Sequence, residues 1–234
     1  VGPAGELRNA GLTGGSVVGA LGTGSLAGSN DGTIASSYAT GTVSGSKNVG
    51  GLVGANLGTI RDVWATGNVS NASGGIGFVG GLVGNTGSSG SITNAWAAGN
   101  VSGLGPNVGG LVGFASNGII TNTYATGTVS GTNFVGGLVG SGAGPVNNSY
   151  ATGGVSGTGS YIGGLVGYIY PGITISNTYA TGTVSGVASV GGLVGNNAGS
   201  ISASYWNSTI NATGIGGGTV AGATGRTSAE MMQL

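Results

Sequence analysis

Eight side chains in this sequence carry a formal charge: Glu6, Arg8, Asp31, Lys47, Arg61, Asp62, Arg226 and Glu230. General acid–base chemistry needs a positioned pair of carboxylates or a histidine, and histidine is absent. Asp31 and Asp62 are the best available pair. Asp31 stands three residues before the isoleucine of a recurring block, however, and Asp62 two residues after the equivalent isoleucine, beside Arg61. The two are out of register and read as turn residues. Serine and threonine are plentiful but have no base beside them, so nucleophilic catalysis has no support. Without cysteine there is neither a disulfide framework nor a thiolate metal site. The Gly-Gly-Leu-Val-Gly blocks lack the lysine and following helix of a phosphate-binding loop. Calcium-binding glycine repeats need one aspartate per turn, where this chain has Asn, Ser or Gly. No catalytic, cofactor or metal residue is assigned, and the chain reads as a non-enzyme.

Two sets of residues could instead bind. One is an aromatic series: Tyr38, Trp64, Trp96, Tyr124, Tyr150, Tyr179 and Tyr205. If stacked, these rings form either a stabilising ladder, worth about 0.5–1.5 kcal/mol per pair, or a flat strip for sugars. The other is a threonine series following the rings: Thr40, Thr42, Thr66, Thr126, Thr128, Thr152, Thr181 and Thr183. A Thr-x-Thr array on a flat solenoid face resembles the ice-binding surface of insect antifreeze proteins. The pattern is interrupted at Thr66/Asn68, Ala98/Asn100 and Thr152/Gly154, and threonine is in any case a good strand former.

Both series are positioned by one repeat. A β-branched residue stands four positions before each ring (Ile34, Ile60, Ile92, Ile120, Val146, Ile175, Ile201). Another stands five after it (Val43, Val69, Val101, Val129, Val155, Val184, Ile210). A second block places Leu52, Leu82, Leu111, Leu138, Leu165 and Leu193 at spacings that average about 28 residues, with a degenerate forerunner at Leu26. Constant spacing inside the blocks and variable gaps between them mark strands joined by turns, and this period marks stacked units. Helices are excluded by glycine density, 59 of 234 residues, at roughly 1 kcal/mol per interior glycine. The expected fold is all-β: a single parallel β-helix of about seven coils, three segments each. Residues 25–205 hold the repeats, 1–24 are an N-terminal cap or assembly segment, and 206–234 are a C-terminal cap containing Ile210, Ile215, Val220, Met231, Met232 and Leu234. A bend near Ser36–Tyr38 should turn Ile34, Ala39 and Val43 inward and Tyr38, Thr40 and Thr42 outward. Val49 and Val53 share one strand parity and Leu52 the other, so one of these sets is expected as an apolar outer stripe.

The pentapeptide Gly-Gly-Leu-Val-Gly coupled to Ser-Tyr-Ala-Thr-Gly-Thr-Val-Ser-Gly resembles the GLUG repeat, over about Gly24–Tyr205. That repeat occurs in large bacterial surface and secreted proteins, including filamentous-haemagglutinin-like adhesins and some peptidases that cleave immunoglobulin A. The segment Ser204-Tyr205-Trp206-Asn207 and its glycine-rich continuation are similar to the tails that close such arrays. The resemblance implies a β-helical fold and a secreted or bacterial cell-surface location. It implies no catalytic site.

Charge and hydropathy restrict the partners. Four scattered cations cannot neutralise a run of phosphates, so nucleic acid is excluded. No apolar run reaches 18 residues, so no transmembrane helix is expected, and no signal peptide is visible in the first 20 residues. Asn-x-Ser/Thr sequons at Asn68, Asn71, Asn100, Asn147, Asn207 and Asn211 are what a chain rich in these residues produces by chance. The leading expectation is an extracellular structural or adhesive module, a cell-surface stalk or filament subunit. It would associate with itself end to end or laterally, or meet a host-surface glycan or protein. The alternative is ice or carbohydrate binding by the outward Thr and aromatic columns. A polysaccharide-active enzyme is a distant third.

Overall fold

β-Branched and aromatic residues make the Ile-to-Ala segment of each repeat a strand, and the glycines between the segments let the chain turn. In a computed structural model, which describes residues 1–71, 77–142 and 144–233, these segments are Thr59–Ala65, Ser91–Ala97, Ile119–Ala125, Val146–Ala151 and Thr174–Ala180. They stack in parallel, like residue on like. Ile60 lies between Ile34 and Ile92, and Trp64 between Tyr38 and Trp96. The chain is an all-β parallel solenoid of about seven turns, roughly 27 residues per turn. The Asn71 sequon runs into residues outside the described ones, and Leu234 also lies outside them.

Each coil has four strands rather than three, exemplified by Thr59–Ala65, Val69–Asn71, Val79–Gly80 and Val83–Thr86. They build a long sheet and three further sheets of seven strands each. The additional strand arises because the Gly-Gly-Leu-Val-Gly block is itself a corner. Lys47–Gly50 ends one strand, and Val53–Asn56 starts the next. A corner breaks the alternation of strand faces, so Val49, Leu52 and Val53 all turn inward and are 0% exposed. The expected outer stripe from these residues is therefore absent; both sets belong to the core.

The long strand is bent as its sequence requires. Two residues after each leading Ile or Val the backbone is left-handed: Ser36, Asp62, Asn94, Asn122, Asn148, Asn177 and Ala203, with φ from 44° to 56°. Asparagine and aspartate tolerate that conformation best among non-glycine residues. The bulge switches parity, so Ile34 and Ala39 are both buried although five positions apart.

Two columns of apolar residues fill the interior. Ile34, Leu52, Val53 and their equivalents form one core between the long and fourth sheets. Val43, Val49, Val69, Val79 and their equivalents form a second between the other two. Each such side chain contributes about 1.5–3 kcal/mol when fully buried. Coils approach most closely at glycine. A Cβ on Gly67 would lie 1.8 Å from the Gly41 carbonyl oxygen, and one on Gly127 would lie 2.1 Å from that of Gly99.

The two ends differ. Residues 6–23 wind onto the array in register, with Leu7 on Ile34, Gly11 on Tyr38, Val17 on Val43 and Leu21 on Lys47. Among the described residues no strand covers the outer edges of these segments, and Val18 and Leu21 are 78% and 75% exposed. At the other end the small inward residue of the repeat (Ala39, Ala65, Ala97, Ala125, Ala151, Ala180) gives way to Trp206. Its indole packs against the first core and donates from Nε1 to the Asn211 carbonyl at 3.0 Å. The Asn211 amide extends the second sheet like a strand, accepting from Val184 N at 3.0 Å and donating to Gly182 O at 2.9 Å. Ile215 is buried over the last coil, whereas Ile210, Val220 and Met232 stay exposed, so only part of the tail's apolar material covers the end. A last strand, Ala223–Arg226, and a single helical turn, Ser228–Met231, complete the described chain. Thr227 and Glu230 cap that turn reciprocally.

Candidate binding surfaces

The seven predicted rings lie in one column on the outside of the long sheet, each half-buried. Five successive pairs stack, with centroids 4.4, 5.2, 5.7, 4.9 and 4.8 Å apart from Tyr38 to Tyr179 and planes within 8° of parallel. Stacking occupies the flat faces of the inner rings and leaves their edges to solvent. Partial burial pushes the Tyr150 phenol above its ordinary value, with Tyr179 and Tyr124 adding to the effect. Burial raises Tyr179 likewise. Tyr205 is in register with Tyr179 but carries the Arg226 guanidinium 4.6 Å from its centroid. A shallow depression of about 250 Å³ opens between these two rings, beside Asn177, Thr178 and Ala203.

The threonines follow the rings around a corner. Thr66 and Thr126 are at the bend after the long strand, with Gly67 and Gly127 at its apex. Thr40, Thr152 and Thr181 occupy the same level as Thr66, while Thr42, Thr128 and Thr183 lie beyond the apex, at the second sheet. The two members of each Thr-x-Thr pair thus straddle an edge of the solenoid. Where asparagine replaces threonine it bridges coils: Asn68 Oδ1 accepts from Asn100 N at 2.9 Å, and Asn100 Oδ1 accepts from Thr128 N at 3.0 Å and Thr128 Oγ1 at 2.9 Å.

Two features were not foreseen. The left-handed residues form an external amide ladder. Asn94 donates to Asp62 at 3.1 Å, and Asn122, Asn148 and Asn177 each donate to the previous member at 3.2 Å. Asp62 also accepts from Arg61 at 3.0 Å. The signal was in the sequence: Asp62, Asn94, Asn122, Asn148 and Asn177 all sit two residues after the block's leading Ile or Val.

The second feature is another aromatic group, at the corner between the third and fourth sheets. Phe134 and Tyr161 stack at 5.0 Å, and Tyr168 meets both edge-on, at 5.9 and 5.5 Å. Tyr168 meets Tyr170 at 4.8 Å, and Phe114 continues the group toward Phe78, with which it is 4.9 Å apart. All six rings are partly exposed, Tyr170 most, at 36%. These rings do not share one position in the repeat, so a search for identical columns passes over them.

Among the described residues no group of three metal-ligating side chains assembles, and no helix is long and apolar enough to cross a membrane. Asp31 and Asp62 occupy different levels of the coil, Asp62 in the amide ladder and Asp31 after the strand Ala27–Asn30.

Stacked parallel coils with outward columns of rings, amides and hydroxyls define a β-solenoid, a fold that fits a structural or surface module. The GLUG motif matches residues 45–70, 105–130 and 158–185, and the chain, carrying three copies, is consistent with a GLUG-repeat protein. GLUG repeats are not a known enzyme family. No curated protein and no solved structure matches the chain significantly.

Proposed function

We propose that this chain is a stiff extracellular module, a stalk or adhesive segment held at a bacterial surface or secreted, and that it works by shape and contact rather than by catalysis. The carrying observation is the unbroken register. The same repeat position meets its counterpart from coil to coil in all four sheets, so backbone hydrogen bonds run along the rod axis at about 4.8 Å per step. Bending such a rod requires opening many bonds at once, which suits a spacer that must hold a contact away from a surface. Sparse charge permits close lateral approach, because little like-charge repulsion opposes it. The open edges at residues 6–23 support end-to-end association of copies, since unpaired strand edges invite further strands.

The test is to image the purified chain by electron microscopy, and to measure attachment of chain-coated beads to cells. Short rods or filaments that confer attachment are the expected result. Compact particles without attachment would overturn the reading.

A further inference from the structure

From the second aromatic group we infer a binding site for a neutral pyranose saccharide, formed by Phe78, Phe114, Phe134, Tyr161, Tyr168 and Tyr170. The inference deepens the adhesive reading and rests on it, by naming what the module would hold.

Backbone strain is the first argument. Phe134 and Tyr161 are left-handed, with φ of 53° and 68°. Large side chains are rare there and cost on the order of 1–3 kcal/mol. The fold itself does not ask for rings at this level. Other coils place Asn48, Asn107 and Ser189 there, with φ of 51°, 63° and 50°, and asparagine is a residue this conformation favours. Contact among the rings offsets part of the cost, about 0.5–1.5 kcal/mol per pair. A purely structural column would nevertheless hold small polar residues throughout, as the other coils do with Asn and Ser, and strained bulky residues that persist point to a use.

The second argument is the chemistry of the patch. Unlike the long ladder, whose inner faces are closed by parallel stacking, this group meets partly edge-on, with planes 74° to 87° apart at Tyr168. Edge-on contacts do not close both faces of a ring as a continuous parallel stack does, and all six rings are partly exposed. A ring face is negatively polarised and accepts the C–H side of a pyranose. The Tyr161, Tyr168 and Tyr170 phenols can exchange hydrogen bonds with its hydroxyls. No Lys, Arg, Asp or Glu stands in the two columns that carry Phe78, Phe114, Phe134, Tyr161 and Tyr168, whose other occupants are Asn, Ser, Ala and Gly; Tyr170 belongs to a third column, in which Asp31 lies at the far N-terminal end of the array. Recognition of an anionic sugar would call for Arg or Lys, so the charge match is to a neutral one. The rings span several successive coils, which suits a chain of sugar units lying along the rod.

The test uses the whole chain against neutral polysaccharides (cellulose, chitin, starch) and a glycan array, comparing wild type with Phe134→Asn/Tyr161→Asn and with Tyr170→Ala. The double variant should bind at least tenfold more weakly while its melting temperature stays level or rises, because asparagine relieves the left-handed strain. Should the double variant lose stability as well, Tyr170→Ala decides: weaker binding at unchanged stability supports the site, and full binding overturns it. Wild type that binds none of these sugars, or binds only charged glycans or a protease-sensitive ligand, also overturns it. Cell attachment retained by the double variant sinks this site and leaves the adhesive module standing.

Discussion

Asn94 donates its side-chain amide to Asp62 at 3.1 Å, and a carboxylate can only accept. That contact fixes the sense of the three amide bonds that follow, each donated toward the N-terminal end. Asp62 is thus the terminus of a polar ladder and not simply a decorated turn. The ladder rests on backbone that only a few residue types adopt comfortably.

Those two contributions, conformation and hydrogen bonding, can be separated at Asn122. Asn122→Ala removes two amide bonds, each worth about 1 kcal/mol, and places alanine in the left-handed region at about 1–2 kcal/mol more. Asn122→Gly removes the bonds alone. Urea denaturation should show the alanine variant to be the less stable, with a total loss of about 3 kcal/mol, and equal losses would refute the left-handed account.

Glycine columns should be unforgiving where carbonyls face them and tolerant elsewhere. Gly127→Ala drives a Cβ to within 2.1 Å of backbone and is expected to cost about 3 kcal/mol or to abolish folding. Gly142→Ala meets nothing closer than 3.6 Å, in a column that already contains Ala115. Thermal melting should show it level with wild type or raised, by about 0.4–1 kcal/mol in stability.

Alkaline pH should weaken the aromatic ladder. Tyr150 and Tyr179 hold their protons more tightly in the folded state, chiefly because burial disfavours phenolate. The unfolded chain ionises first, near pH 10. Their contribution is therefore complete below that value and is lost as pH rises through the higher folded values. Melting temperature should hold from pH 7 to 9 and decline above 10. Tyr150→Phe should flatten the decline, and an identical decline in that variant would remove the assignment.

The ends can be tested by assembly state. Val18→Lys together with Leu21→Lys puts charge on exposed strand edges and should reduce end-to-end association measured by light scattering. Trp206→Ala uncovers the opposite end of the core. It should cost about 2–4 kcal/mol, near the range for truncating a large core aromatic, and increase association through that end. Unchanged scattering in both variants would place the self-contacts elsewhere.

The stacking of like on like was legible because a solenoid writes its ladders into the sequence as constant spacing. The ring column from Tyr38 to Tyr205 and the inward Ile, Ala and Val were all readable from it. Corners were harder. Strand parity says that Val49 and Leu52 face opposite ways, and only a bend between Gly50 and Val53 reconciles them, so the fourth strand was missed. Asn94, Asn122, Asn148 and Asn177 occupy a constant position inside the block. Their ladder depends on a left-handed conformation that spacing alone does not reveal. Phe78, Phe114 and Tyr168 come together only through coil geometry.

The constant register has a further consequence. At the glycine corner successive coils present matching upper and lower outlines: Gly67 receives Gly41 as Gly99 receives Gly67. A coil is therefore an interchangeable part. Duplicating or deleting one whole repeat would move the two tips apart or together by about 4.8 Å while leaving every other junction as it was. The reach of such a molecule is then set by how many copies of a cassette its gene contains, a quantity that recombination between near-identical repeats can alter without inventing a single new contact.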